Sequence, residues 1–210
     1  MLVVASTDSR RLVLASASPA RLRTLQAAGI EPEVLVSGVD ESTVDSTNPD
    51  TLSLTLARLK AEAVAERLRR DGRVGSGALV LGCDSVLAFD AEIFGKPADA
   101  DDATKRWARM RGRSGVLHTG HCLIDLDSGG HAEAVAATVV HFAVVDDDEI
   151  AAYVATGEPL HVAGAFTLDG IGGPFVERIE GDPGTVIGLS LPLLRRLLAQ
   201  LGVRIFDLWR

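Results

Sequence analysis

Cysteine is scarce in this chain: two in 210 residues, Cys83 and Cys122, without CxxC or histidine-rich spacing. That excludes a disulfide framework and a zinc site of the usual kinds. Positive charge is also in deficit, with 21 Lys and Arg against 29 Asp and Glu and a net charge of −8. A general nucleic-acid or membrane-surface binder shows a basic excess, so neither partner is expected. An anionic ligand must instead meet a local basic pocket. No apolar run approaches the ~20 residues of a membrane span. Residues 1–8, MLVVASTD, lack the charged start and long apolar stretch of a secretory leader, and a cytoplasmic, reducing location is expected. The sequence shows no repeat, low-complexity tract or linker. Lysine is the last scarcity: Lys60, Lys96 and Lys105 stand beside 18 arginines. An ammonium is a compact point charge and a guanidinium a planar fork, so a retained lysine marks a position to watch.

What is present is an ordinary balance, 47% hydrophobic and 24% charged, and enough chain for one core or for two lobes around a cleft. Strands are expected over residues 12–16, 33–36, 78–83, 86–89, 116–127, 132–145 and 175–179. Helices are expected over residues 19–28, 52–70, 99–110, 147–155 and 189–201. The run ALVLGC at residues 78–83 suits a strand buried on both faces. Ser128-Gly129-Gly130 joins two long strands as a hairpin. Strands alternating with helices around one long hairpin predict an α/β fold, a mixed sheet with flanking helices, as a single domain over residues 1–210.

The stretch LVLASASPARLRTL poses a charge problem. Ser18 is a natural N-cap and Pro19 fits the first helical position. Arg21 and Arg23 then place cations at a helix start that already carries partial positive charge. Arg21 holds the third helical position, where a capping box takes Glu or Gln. Free N–H groups with the Ser16 and Ser18 hydroxyls offer an anion site, and the two arginines either serve it or lie solvated.

Further along, Asp84 follows the apolar strand, at the strand end where α/β sheets bind ligands. A carboxylate there holds a metal ion, acts as general base or closes an Asx-turn. Ser85 is a phosphate contact or a turn residue. Lys96, in FGKP, sits on a loop suited to a phosphate, without the glycine cradle of a Walker loop. Lys60 lies on a helix in LARLKAEA, on a face that reads as solvated, and Glu41 lies in the acidic turn VDEST. The histidines show no triad or HExxH spacing. His118 and His121 share a strand, face opposite sides and read as surface or structural groups. Gly170-Ile171-Gly172-Gly173 is not a dinucleotide fingerprint. Together these features describe phosphate chemistry.

The segments LASASPAR, GVDES, LARLKAEA, GCDSV, GKP, GEPLHVAGAF and FVERIEGDPGTVIGLSLPLL, in this order and spacing, resemble the Maf family of nucleoside triphosphate pyrophosphatases along nearly the whole chain. The resemblance implies an elongated, two-lobed fold similar to the inosine triphosphatases, with a central cleft, often as a homodimer. It implies hydrolysis of a nucleoside triphosphate to the monophosphate and pyrophosphate with a divalent cation, Mg²⁺ or Mn²⁺. It also implies removal of non-canonical or modified nucleotides and a link to cell-division arrest. By motif match Asp84 is the proton acceptor, Ser16, Ser18 and Arg21 contact phosphate, and Lys60 and Lys96 fall on the two lysine positions. Glu41 matches the acidic residue of the active site and, with Asp84, is a candidate metal ligand. In this view a bound triphosphate holds Arg21 against the helix dipole.

Base choice is where the chain departs from the family pattern. The branch preferring dTTP and UTP carries Arg, Thr and Gln at three discriminating positions, and the branch preferring 7-methyl-GTP carries Trp, Gln and Glu. Here those positions are Ala20, Ser85 and Asp169. Asp169, the glycine of GKP and the PLHVAG stretch lean towards the second branch. A carboxylate accepts from guanine N1–H and N2–H, whereas a Gln amide pairs with thymine or uracil. The expectation is a broad enzyme or one leaning to guanine-type bases, with a dTTP/UTP-preferring pyrophosphatase as the alternative. A septum-inhibiting binding protein with vestigial catalysis is a rival of another class, and the retention of Asp84, Lys60 and Lys96 counts against it. A phosphomonoesterase with an aspartyl nucleophile needs a DxD motif where this chain has Asp84-Ser85-Val86.

Overall fold

The computed structural model describes residues 10–75 and 77–210, so the expectation about a leader in residues 1–8 lies outside the described residues. Among these, the chain runs β1 (Arg11–Leu14), α1 (Pro19–Ala27), β2 (Glu33–Val34), α2 (Pro49–Arg70), β3 (Ala78–Phe89), β4 (Glu92–Phe94) and α3 (Ala100–Met110). It continues through β5 (Ser114–Asp125), β6 (His131–Phe142), α4 (Asp147–Ala155), β7 (Val176–Glu180), α5 (Pro183–Ile187) and α6 (Leu191–Gln200). The strands form one sheet in the order β2-β1-β3-β5-β6-β7, with β4 paired to β3 off that path. β1 is parallel to β2 and β3, and the other pairings are antiparallel, as expected of a mixed sheet. No helix of the described residues is long and apolar enough to cross a membrane.

One edge of β3 explains where a cleft can open. β1 pairs with its first part, up to Leu14 opposite Leu81, and β4 pairs with its last, from Leu87 opposite Phe94. Between Leu81 and Leu87 that edge has no strand partner among the described residues. The notch also separates two lobes of core. On one side of it, α6 packs Leu194, Leu197 and Leu198 on Leu12, Leu14, Leu79 and Leu81, and α2 packs Ala57, Ala61 and Val64 on the opposite face at Val13 and Val80. Beyond the notch lies an aromatic-rich cluster, in which Trp107 meets Phe142, Tyr153 and Phe175 edge-on. Edge-to-face contacts of this kind add stabilisation beyond area burial.

α2 lies unusually close to the sheet. A Cβ at Gly82 would stand 2.1 Å from the Ala57 carbonyl oxygen, and one at Gly120 would stand 2.3 Å from that of Ser53. Only glycine at both positions lets the helix backbone rest on β3 and β5.

The elements differ from expectation at a few ends. The strand expected over residues 33–36 closes at Val34, and the two pieces expected at 78–83 and 86–89 are one continuous strand. The closing helix begins at Leu191, because Ser190 caps it and Pro192 fits its first turn. α5 was not expected. Asp182-Pro183 repeats the cap-then-proline pattern of Ser18-Pro19 and Asn48-Pro49, but a helix of 5 residues is too short to display periodicity.

Candidate active site

Asp84 and Ser85 are consecutive residues in the notch of β3, and the pleat sends them to opposite faces. Gly82 and Asp84 face α2, while Ser85 faces α1 and α5. On α2, Lys60 is three residues beyond Ala57, the residue that rests on Gly82, so it shares the sheet-facing side of the helix. Its ammonium therefore reaches Asp84: Lys60 Nζ lies 2.5 Å from Asp84 Oδ1 and 2.6 Å from Glu41 Oε1. Lys60 is only 8% exposed, which corrects its reading as part of a solvated helix face. Glu41 arrives on a one-turn 3-10 helix, Glu41–Thr43, whose start is capped by the Asp40 carboxylate accepting from Ser42 N.

Burial pushes the Asp84 carboxyl above the usual aspartate range, against the opposing pull of the Lys60 and Arg21 charges. Glu41 also feels the upward push of burial. There, however, the hydrogen bond and charge of Lys60, with Lys96 and Arg21 further off, prevail and leave it lowered.

On the opposite face Arg21 is 8% exposed, with three of its five N–H groups bonded to protein acceptors. Its Nε–H donates to the Gly188 carbonyl (2.8 Å), Nη1 to Ser16 Oγ (3.1 Å) and Nη2 to Ser85 Oγ (3.1 Å). Thr119 donates its hydroxyl to the Thr185 carbonyl, so Ser85 donates to Thr119 Oγ1 and keeps its lone pairs for Arg21. Gly188 ends α5 with φ +114°, and a Cβ there would press within 3.2 Å of Arg21 Nε. The charge problem of the sequence thus has a protein answer. Arg21 is anchored by the protein itself, and its three acceptors are uncharged, so its positive field reaches the cleft uncancelled by a direct ion pair. Gly188, Thr119 and Thr185 were not singled out from the sequence. The only local signal for Thr185 and Gly188 was the segment GDPGTVIGLS, and Thr119, on β5, had none.

These groups open on one cleft of about 1000 Å³, whose walls also carry Ser18, Ala20, Lys96 and Asp169. Every residue singled out as a site candidate therefore lines the same space. Ser18 caps α1 through its hydroxyl, and Ser16 Oγ accepts from Ser18 N. Lys96 is exposed on a loop pinned at Gly95, whose carbonyl accepts from Arg106 Nη1 (2.7 Å) and Gly164 N (3.1 Å). Asp169 is not a free carboxylate, because Arg23 Nη2 lies 3.2 Å from its Oδ2.

Among the described residues no group of three or more His, Cys, Asp or Glu side chains gathers as a metal cage. The donors that do converge, Glu41 and Asp84 around one ammonium, are hard oxygens at a point already selected for positive charge. One or two carboxylates supplemented by substrate phosphates is the donor set of Mg²⁺-type ions, so these residues fit such an ion.

His118 and His121 face opposite sides, as expected, and each makes a structural contact. His118 Nδ1 meets Asp50 Oδ1 on α2 at 2.6 Å. His121 faces the other way: its Nδ1–H donates to the Thr119 carbonyl, leaving Nε2 to accept from Ser190 N at 2.9 Å.

A protein-family model described as "Maf-like protein" matches residues 11–201. A protein of Salinispora tropica is 73% identical over 201 residues, covering 95% of this chain and 87% of its own. One from Streptomyces coelicolor is 62% identical over 200 residues, 95% of each chain. One from a Cyanothece species is 55% identical over 199 residues, covering 95% of this chain and 99% of its own. All three bear the name nucleoside triphosphate pyrophosphatase.

Proposed function

The chain belongs to the Maf-like family, and on that premise we propose that it hydrolyses nucleoside triphosphates to the monophosphate and pyrophosphate. The observation that carries this reading is the buried Asp84–Lys60 pair, with Glu41 closing on Lys60 from the exposed rim and Arg21 opening on the same cleft. Arg21, Lys60 and Lys96, with the hydroxyl-lined start of α1, receive phosphate oxygens and stabilise the charge that develops on them. Asp84, with its affinity for a proton raised by burial, takes the proton of the attacking water. The water oxygen bonds to phosphorus, the α–β anhydride P–O bond breaks, and its electron pair leaves on the pyrophosphate. A bound Mg²⁺ or Mn²⁺, held by Glu41 and Asp84, would neutralise phosphate charge and acidify water. The chain acts as one catalytic domain, since β3, β5 and β6 run through both lobes.

Ala20, Ser85 and Asp169 form the base-selecting part of the cleft. Ala20 leaves room for a large base, and the Asp169 carboxylate accepts from guanine N1–H and N2–H. The reading is a pyrophosphatase broad in base choice or leaning to guanine-type nucleotides.

A pyrophosphate-release assay with Mg²⁺ and Mn²⁺ tests both levels, using dTTP, UTP, CTP, GTP, 7-methyl-GTP and a methylated pyrimidine triphosphate. Pyrophosphate should appear from at least one of these and fall about 10²-fold in kcat with Asp84→Asn. A kcat/KM about tenfold higher for dTTP and UTP than for the guanine nucleotides would overturn the base preference alone. Silence across the panel from folded protein would overturn the enzyme and favour a binding role.

A further inference from the structure

Glu158 lies on the wall of the same cleft, at the start of the one-turn 3-10 helix Glu158–His161, and the reaction above gives it no task. Its carboxylate is a hub. Oε1 accepts from Thr167 Oγ1 (2.5 Å), Gly172 N (3.0 Å) and Tyr153 OH (3.1 Å), and Oε2 accepts from Ile171 N (2.9 Å). The Tyr153 hydroxyl in turn accepts from Thr167 N at 3.2 Å. Both ends of the loop spanning residues 167–172 therefore fold back onto one carboxylate, and Asp169 stands in the middle of that loop.

The fit is tight. A Cβ on Gly170 would stand 2.5 Å from Glu158 Oε2, and one on Gly172 would stand 2.4 Å from the Tyr153 hydroxyl. All of the hub's donors are uncharged N–H and O–H groups, an arrangement that backbone nests use to hold anions. Burial pushes the Glu158 carboxyl upward, but these donors prevail and leave it below the usual range, so it stays an anion. From across the cleft Arg23 reaches Asp169, which is thus held by its own loop on one side and by α1 on the other.

We propose that Glu158 is a positioning residue for base selection: it wraps residues 167–172 around its carboxylate and so fixes where Asp169 meets the base. The proposal rests on the reading that Asp169 faces the base of a nucleoside triphosphate. Glutamine tests it well, being close in shape. Its amide keeps one acceptor oxygen and turns an NH₂ towards N–H or O–H donors on the other side, so part of the hub must open. The phosphate-binding groups at the start of α1, Lys60 on α2 and Lys96 belong to other elements, outside the loop that Glu158 holds.

The experiment compares wild type, Glu158→Gln and Thr167→Val on the nucleotide panel, with tripolyphosphate as an inhibitor that carries the phosphates and no base. Glu158→Gln should raise KM for the best nucleotide about tenfold and shrink the spread of kcat/KM among bases about tenfold. Its kcat should stay within about threefold of wild type and its inhibition by tripolyphosphate within about twofold. Thr167→Val removes one bond to the hub, shifts the same quantities less far, and stands in should Glu158→Gln not fold. An unchanged spread among bases in the folded variants, or tripolyphosphate binding that weakens in step with nucleotide KM, overturns the proposal. Wild type inactive on every nucleotide overturns the pyrophosphatase reading and this proposal with it; active wild type with an unchanged spread overturns this proposal alone.

Discussion

Asp84 and Glu158 line one cleft as carboxylates with short polar contacts, yet their environments push them in opposite directions. Asp84 is the more buried and has a cation at 2.5 Å, and it is nevertheless held above the ordinary aspartate range. Glu158 has no cation among its hydrogen-bond partners, and it is held below the ordinary range by donors on both oxygens. The difference teaches that deep burial outweighs the nearby positive charges at Asp84, whereas at the shallower Glu158 several fixed uncharged donors outweigh burial. One carboxylate has a raised affinity for a proton, and the other a lowered one, with backbone wound around it.

The most direct way to break this comparison is to remove each charge in turn. Asp84→Asn should lower kcat about 10²-fold, while Glu158→Gln should act mainly on KM and base choice. If both variants lost kcat alike, the division of labour would be wrong. The pH profile sharpens it further. Asp84 serves as a base only when deprotonated, so kcat/KM should fall as pH falls through its raised value, giving an acid limb above the ordinary aspartate range. The Lys60 charge holds that value down, so Lys60→Met should move the limb to higher pH. Glu158, shifted the other way, stays ionised across the limb, and the ratio of rates between two bases should stay constant through it.

A third buried group extends the contrast to stability. His121 is almost fully enclosed, and burial lowers its pKa from 6.5 to about 4. Its neutral ring is needed, because Nε2 accepts from Ser190 N at the cap of α6. The folded value lies below the unfolded one, so the unfolded chain binds more protons between the two, and stability is lost as pH falls from 6.5 towards 4. Between pH 7 and pH 5 this group should cost about 2 kcal/mol of folding stability. Urea unfolding at the two pH values measures it, and His121→Gln should flatten the dependence even though it starts less stable.

What the sequence made legible was local. The cap Ser18, the period of α2 and the apolar run of β3 act within a few residues of themselves, and each produced the expected element, although α2 starts at Pro49 behind its Asn48 cap and not at Leu52. Asp84 was visible as a carboxylate after that run, though it lies inside the continuous strand β3 and not at the expected strand end. Lys60 and Lys96 were visible as lysines kept in an arginine-rich chain. The illegible part was long-range. Lys60 is buried because glycines on two different strands let α2 settle onto the sheet. Arg21 finds its acceptors at Ser85 and Gly188, which are 64 and 167 residues away. Glu158 looks like any acid after a helix until the loop at Thr167 returns to it.

Arg23 offers the smallest expected effect and the finest test. It leaves the same helix as Arg21, two residues on, but it is largely exposed and touches a carboxylate, where Arg21 is buried among uncharged acceptors. An exposed pair of this kind contributes ~1 kcal/mol or less, so Arg23→Ala should leave the melting temperature almost unmoved. Its effect should fall on Asp169, whose carboxylate loses a competitor for the base. Guanine nucleotides should then gain about threefold in kcat/KM relative to pyrimidine nucleotides, with tripolyphosphate inhibition unchanged. If Arg23 instead belongs with Arg21 on the phosphates, every nucleotide and tripolyphosphate would weaken together. The ratio between bases, and not the rate on any one of them, therefore decides whether these neighbouring arginines share a role or divide the nucleotide between them.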